Sequence, residues 1–335
     1  MEWMLKPRFQ KPDVSIKHGQ KILSIGSCFT EHIGNALADL KFDILQNPSG
    51  ILFDPQSVCY TLDAAMRNEQ IISNDLVQIG EVWHSWHHHS RFSGTDAEAV
   101  VQNINKATAE AHLFLQQASW LIITLGSSFS YRIQPGAFDA ANVSSALPVA
   151  NCHRAPAAWF HRHLMTIDET VSALDNTLHR CFRFNPQLKI LFTISPVRHI
   201  RDGVVENNRS KARLIEAVHH LVNKFDKLYY FPAYEMVIDV LRDYRFYDVD
   251  LVHPNYAATQ AVLEQFTELF MDDATQELCA QIKPLVTAAR HRPSFPETEA
   301  HQQFLRAQLQ KAQALQTAHP EIDFSEEIKT FTQSR

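Results

Sequence analysis

Five short apolar runs set the limits of what this chain can fold into: 21–25, 42–46, 120–125, 189–194 and 228–231. Each is almost continuously apolar with branched or aromatic side chains, the pattern of a strand covered on both faces. Between them, 29–40, 57–67, 97–117, 169–184 and 210–225 carry the 3.6-residue period of helices. In the first of these Phe29, Ile33, Ala36, Leu37 and Leu40 share one face, and Glu31 stands near the positive helix start. Alternation of this kind predicts a parallel sheet with helices on both sides. Such sheets bind ligands beyond the carboxyl ends of their strands. Chemistry is therefore expected in "GSC" at 26–28, "NPSG" at 47–50, "GSSFSYR" at 126–132, "SPVRH" at 195–199 and "DVDLVHPN" at 248–255. The stretch 80–94, "GEVWHSWHHHSRFSG", has no helical period and reads as an inserted hairpin or loop.

A net charge of -6 argues against a nucleic-acid or anionic-membrane partner, which calls for a basic patch. The cysteines Cys28, Cys59, Cys152, Cys181 and Cys279 are odd in number and form no C-x-x-C pair, so neither a zinc ribbon nor a disulfide framework is suggested. The first residues show no apolar core of a secretory leader, and no run is long enough to span a bilayer. A cytoplasmic location is expected. Near the end, Phe304, Leu305, Leu309, Ala312 and Leu315 fall on one helical stripe. The expected organisation is an α/β domain over 1–290, with an amphipathic helix and tail over 291–335 that packs on it or serves a homodimer.

Two constellations carry chemistry. A serine at 27, on a strand-to-helix turn, would present a nucleophile and its own backbone N–H as an oxyanion donor. Cys28, as first helical residue, is expected to turn into the core, with Ser27 left for exposure; a thiol enzyme using Cys28 is the alternative. In "DLVHP", Asp250 stands three residues before His253 and can hold the imidazole within one turn, while Pro254 keeps His253 extended and Asn255 caps the next helix. Serine after the first strand, then Asp and His before the last helix, is the order a serine hydrolase on a doubly wound sheet requires.

Other polar residues have bland readings beside functional ones. His84, His87, His88 and His89 invite a metal, but adjacent histidines on an extended segment point apart. A loop lining the substrate, with Ser85, His89 and Arg91 as contacts, is the preferred reading. Arg198 and His199 should face the pocket mouth, where a guanidinium would grip an anionic group; the alternative is an ion pair with Glu235 or Asp239. His153 reads as a core histidine. The tryptophans read as core too, with Trp86 in the loop the one exception worth testing as a sugar platform. No cofactor and no metal is called for.

The ordered segments "ILSIGSCFTEHIG", "NPSGILFDP", "HSRFSG", "LIITLGSSFSYR", "VANCHR", "ISPVRH", "NRSKARL", "YFPAYE" and "RDYRFYDVDLVHP" carry a resemblance to the GSCFA family, a branch of the SGNH/GDSL hydrolase superfamily. The resemblance implies a flavodoxin-like three-layer α/β/α fold and an esterase or related acyl hydrolase. It matches Ser27 to the nucleophile block, Asp250 and His253 to the last block, and Gly50 to a backbone oxyanion donor. The superfamily's Asn after the third strand's glycine is missing, since Gly126 is followed by Ser127, Ser128 and Phe129; the family's "NCH" segment gives Asn151 as the side-chain donor instead. The first motif ends in Thr30 where the family name has Ala. The function expected is hydrolysis of an acyl group, chiefly acetyl, from a carbohydrate-like or small-metabolite ester. An acyltransferase, or a binding protein that kept the fold and lost the activity, is the alternative.

Overall fold

The computed structural model describes Leu5, residues 7–137 and residues 148–333. The chain runs β1 (Lys21–Gly26), α1 (Cys28–Asp39), β2 (Asp43–Gln46) and α2 (Pro55–Arg67), then the short pair β3 (Val77–Ile79) and β4 (Val82–His84) before α3 (Ala97–Gln117). Next come β5 (Trp120–Leu125), β6 (Phe129–Ile133), β7 (Phe160–Leu164), α4 (Ile167–Phe184), β8 (Lys189–Ile194), α5 (Gly203–Lys224) and β9 (Leu228–Phe231). The short α6 (Ala233–Glu235) precedes α7 (Tyr256–Phe270), α8 (Asp273–Arg290), α9 (Glu299–Ala318) and α10 (Ser325–Gln333).

The central sheet has the order β2-β1-β5-β8-β9. The β1–β5, β5–β8 and β8–β9 pairs are parallel, with Ile22 opposite Trp120 and Trp120 opposite Lys189. Counted among the sheet's own strands, this is the 2-1-3-4-5 order of a flavodoxin-like α/β/α sandwich. All six residues of β5 are buried, as befits the middle strand. The sequence segment 80–94 begins in the antiparallel hairpin of β3 and β4, turned at Gly80 with φ +62°. A second antiparallel pair, β6 with β7, extends from the end of β5.

The chain divides into two compact units. The first comprises Met1–Arg8, Lys21–Ile33 and Leu45–Val262 and contains the main core, where Leu23, Ile25, Leu121, Ile123, Ile190 and Phe192 of the sheet meet Leu62, Leu178, Leu214 and Val218 of the helices. The second comprises Phe9–Gln20, Gly34–Ile44 and Leu263–Arg335, with its own core of Ile282, Leu285, Leu305, Ala312, Phe324 and Phe331. Leu305 and Ala312 of the expected stripe are buried there, and Leu309 and Leu315 pack against them; Phe304, at 37% exposed, lies off it. Among the described residues, no helix is long and apolar enough to cross a membrane.

Candidate active site

β1 ends against β5 at a point only glycine can occupy. Gly26 has φ +150°, and a Cβ there would lie 2.2 Å from the carbonyl oxygen of Thr124. The Ser27 N–H still donates to Thr124 O at 3.1 Å, so the ladder runs one residue beyond the strand. Ser27 is therefore held in the sheet: it is 1% exposed, and its Oγ makes no hydrogen bond. Cys28 is the first residue free of the ladder and stands half-buried at the start of α1. Burial raises its thiol pKa and the Glu31 charge adds to this, while the N–H groups of Phe29 and of Cys28 itself, and least of all the Lys211 charge, pull it back. The expected division, Ser27 for exposure and Cys28 for packing, is thus reversed, because the β1–β5 ladder extends through Ser27.

The loop after β2 is fixed to this turn by Asn47, a residue with φ +42°. Its Oδ1 accepts the Gly26 N–H at 2.8 Å, its N–H donates to Ser24 O at 2.8 Å, and its carbonyl accepts the Gly50 N–H at 2.7 Å and the Arg91 guanidinium. Gly50 has φ +84°, and a Cβ there would lie 2.1 Å from His89 Cβ. Asn151 donates through Nδ2 to Ser90 Oγ at 3.2 Å and accepts the His153 N–H at 2.8 Å. Each of the three expected oxyanion donors, Ser27, Gly50 and Asn151, accordingly has a partner within the protein.

The Asp–His turn is built locally. Asp250 Oδ1 accepts the N–H groups of Val252 at 2.9 Å and His253 at 3.0 Å, and Oδ2 accepts from His253 Nδ1 at 2.6 Å. Leu251, at φ +59°, makes the tight turn that allows this. The His253 N–H and ring, with the Val252 N–H, bring the Asp250 carboxyl down to about 2. Arg198, just past β8, donates its N–H to Val252 O at 3.3 Å, which sets this turn beside the sheet's carboxyl edge. Asn255 caps α7 by accepting the Ala258 N–H at 3.2 Å. The structure brings Asp250 and His253 together, both side chains more than two-fifths exposed, and leaves Ser27 Oγ unbonded to His253.

The expected substrate contacts are distributed unevenly. Ser85 is buried, its hydroxyl spent on His88 Nδ1 at 2.8 Å and the His87 N–H at 3.3 Å. His89 flanks Gly50 and donates its N–H to Ser49 O at 3.0 Å, while Arg91 reaches back to Asn47. The Arg198 guanidinium lies over the rings of Tyr247 at 4.2 Å and Tyr244 at 5.2 Å. His199 Nε2 meets Gly126 O at 3.0 Å, which requires the proton on Nε2. Burial, then the Lys211 charge, lowers its pKa to about 4. Trp86 is core, 2% exposed and edge-on to Phe160 at 5.4 Å, so it offers no sugar platform. His84 packs against His153 at 4.4 Å, and among the described residues no group of three His, Cys, Asp or Glu is placed to hold a metal.

The inward-facing polar residues of α5 lie outside the expected set of site residues. Lys211 is 1% exposed, and its Nζ donates to Gly126 O and Ser195 O at 2.6 Å each. The signal was present: Lys211, Leu214, Val218 and Leu221 follow one helical stripe, which puts a lysine in a core position.

The sheet order, with an Asp-x-x-His turn at its carboxyl edge, defines a flavodoxin-like three-layer α/β/α fold. The chain belongs to the GSCFA family, whose model matches residues 21–266; a second model, the C-terminal domain of GSCFA domain proteins, matches residues 282–334. A search of curated proteins matched none of them. Among solved structures, a candidate platelet activating factor protein from Streptococcus pneumonia is 14% identical with a TM-score of 0.38, covering 76% of this chain and 84% of its own. A candidate GDSL-like lipase from Parabacteroides merdae is 12% identical with a TM-score of 0.41, covering 77% of this chain and 99% of its own. An acetyl xylan esterase from the rumen bacterium Butyrivibrio proteoclasticus is 12% identical with a TM-score of 0.39, covering 75% of this chain and 63% of its own.

Proposed function

We propose that the chain is an acyl ester hydrolase acting on a small-molecule or carbohydrate ester. The observation that carries this reading is the 2.6 Å bond between Asp250 Oδ2 and His253 Nδ1 beside the carboxyl edge that also holds the Gly26–Cys28 turn. Asp250 fixes the His253 proton on Nδ1 and leaves Nε2 as the base. Ser27 Oγ attacks the ester carbonyl as His253 takes its proton; the tetrahedral intermediate collapses, and His253 returns the proton to the departing alcohol. Water, deprotonated by His253, then attacks the acyl-serine, and the acid departs as His253 returns that proton to Ser27 Oγ. A sugar hydroxyl in place of water makes the same site an acyltransferase.

A second reading assigns the attack to Cys28, forming a thioester that water resolves in the same way. The observation favouring it is the reversed burial: Ser27 is 1% exposed and Cys28 partly open at the helix start. The test is hydrolysis of 4-nitrophenyl acetate and butyrate by wild-type protein, Ser27→Ala, Cys28→Ala and His253→Ala. Loss of activity with His253→Ala and only one of the other two supports hydrolysis and names the nucleophile. Rates equal to background in wild-type protein would favour a binding protein on this fold.

A further inference from the structure

The segment 207–213, "NNRSKAR", sends four polar side chains from α5 to the ends of neighbouring strands. Asn207 Oδ1 accepts the His199 N–H at 2.9 Å, beyond β8. Ser210 Oγ accepts the Ser128 N–H at 2.8 Å and meets Ser127 Oγ at 3.2 Å, beyond β5. Arg213 donates to Leu164 O at 2.7 Å and Met165 O at 2.8 Å, at the end of β7. Lys211 joins the two central strands, through Gly126 O after β5 and Ser195 O after β8.

An amine this deeply buried is expensive to charge, and its two partners are neutral carbonyls. Burial brings Lys211 down to about 7, and the Cys28 thiolate works in the opposite direction. A neutral hydrogen-bonding side chain would bridge two carbonyls at lower cost, so the titratable nitrogen calls for a further reason. Gly126, whose carbonyl Lys211 grips, packs directly on the turn: a Cβ on Gly126 would sit 3.4 Å from Ser27 Cβ. Of the two charges that act on the Cys28 thiol, Glu31 opposes its ionisation and Lys211 favours it.

We propose that Lys211 is a positioning residue for the attacking group: its side-chain nitrogen clamps the ends of β5 and β8 behind the Gly26–Cys28 turn and stabilises the anion formed there during acyl transfer. The assignment rests on the reading that this turn supplies the nucleophile. In its protonated form Lys211 offsets the negative charge that develops as His253 removes the proton from the attacking atom.

The test is the pH profile of Cys28 alkylation by iodoacetamide, followed peptide by peptide by mass spectrometry. It compares full-length wild-type protein with Lys211→Met, Lys211→Gln and Lys211→Arg. With the cation gone, the midpoint for Cys28 rises by about one pH unit in the Met and Gln variants, and Lys211→Arg stays near wild type. Ester turnover in the neutral variants falls about tenfold in kcat with KM little changed. A folded neutral variant, by circular dichroism, that keeps the wild-type alkylation midpoint overturns the proposal. Failure of both neutral variants to fold assigns Lys211 to the fold alone and overturns it equally. The alkylation readout needs no substrate, so a wild-type protein without esterase activity would sink the proposed function while the profile still judged Lys211.

Discussion

Asp250 holds His253 twice, accepting its backbone N–H at 3.0 Å through one carboxylate oxygen and its ring Nδ1–H at 2.6 Å through the other. The histidine is thus oriented by a residue in its own turn, so its tautomer does not depend on any other element. Replacing Asp250 by Asn leaves the backbone bond available but removes the acceptor that fixes Nδ1–H. Ester hydrolysis should fall by about 10²–10⁴-fold in kcat, as expected when the orienting carboxylate of such a pair is lost. Stopped-assay kinetics on 4-nitrophenyl acetate would show it, and a loss under threefold would mean His253 is not the base.

Gly26 and Gly50 should be the least replaceable glycines. A Cβ at Gly26 meets the backbone of the central strand at 2.2 Å, and one at Gly50 meets His89 Cβ at 2.1 Å, both with positive φ. Gly80 has positive φ with nothing within 4 Å. In urea unfolding, Gly80→Ala should cost only about 1 kcal/mol. Gly26→Ala should cost roughly 3 kcal/mol or more, because overpacking adds to the strain. Equal midpoints for the two would contradict the close approach.

His88 is held neutral by burial, its pKa lowered to about 3, with the His87 and His153 charges adding to the effect. A histidine whose folded pKa lies below its unfolded value contributes stability in full above about 6.5 and loses it as pH falls toward the folded value. Asp54, raised to about 6 by burial, pulls total stability the other way over part of this range. The informative quantity is therefore a difference. The melting-temperature gap between wild type and His88→Gln should narrow from pH 7 to pH 5, and a gap that widens would refute the buried neutral state.

In the second unit, Lys41 Nζ pairs with Glu327 at 2.7 Å, with side chains 15% and 5% exposed. Lys41→Met leaves a buried carboxylate without its cation and should cost about 3–5 kcal/mol. Lys41→Met with Glu327→Leu should recover most of that loss. Calorimetry on the two variants decides the matter; a double variant no more stable than the single one would argue against the pair.

The sheet was legible because its strands are continuous apolar runs and the intervening helices keep their period. The Asp–His contact was legible because a three-residue spacing closes on itself whatever surrounds it. The Gly26–Cys28 turn was not, since nothing in "IGSCF" reveals that the ladder to Thr124 continues through Ser27 and leaves Cys28 the more open of the two. Lys211 was hidden for the reverse reason: a lysine in a helix reads as solvated unless its place on the apolar stripe is counted. Ser85 and Trp86 do stand in a loop, the one after β4, but their side chains turn inward against His88 and Phe160 and are closed to a substrate.

Asn47 gives the site its mechanical character. This one buried residue is bonded at once, through its side chain and both its backbone groups, to Gly26, Ser24, Gly50 and Arg91, which belong to strand β1 and to two loops. A tug on the Arg91 side chain is therefore transmitted to the last residue of β1 through a single rigid node, without slack. The two loops and the end of β1 are joined as gears on one shaft, and none of them turns alone.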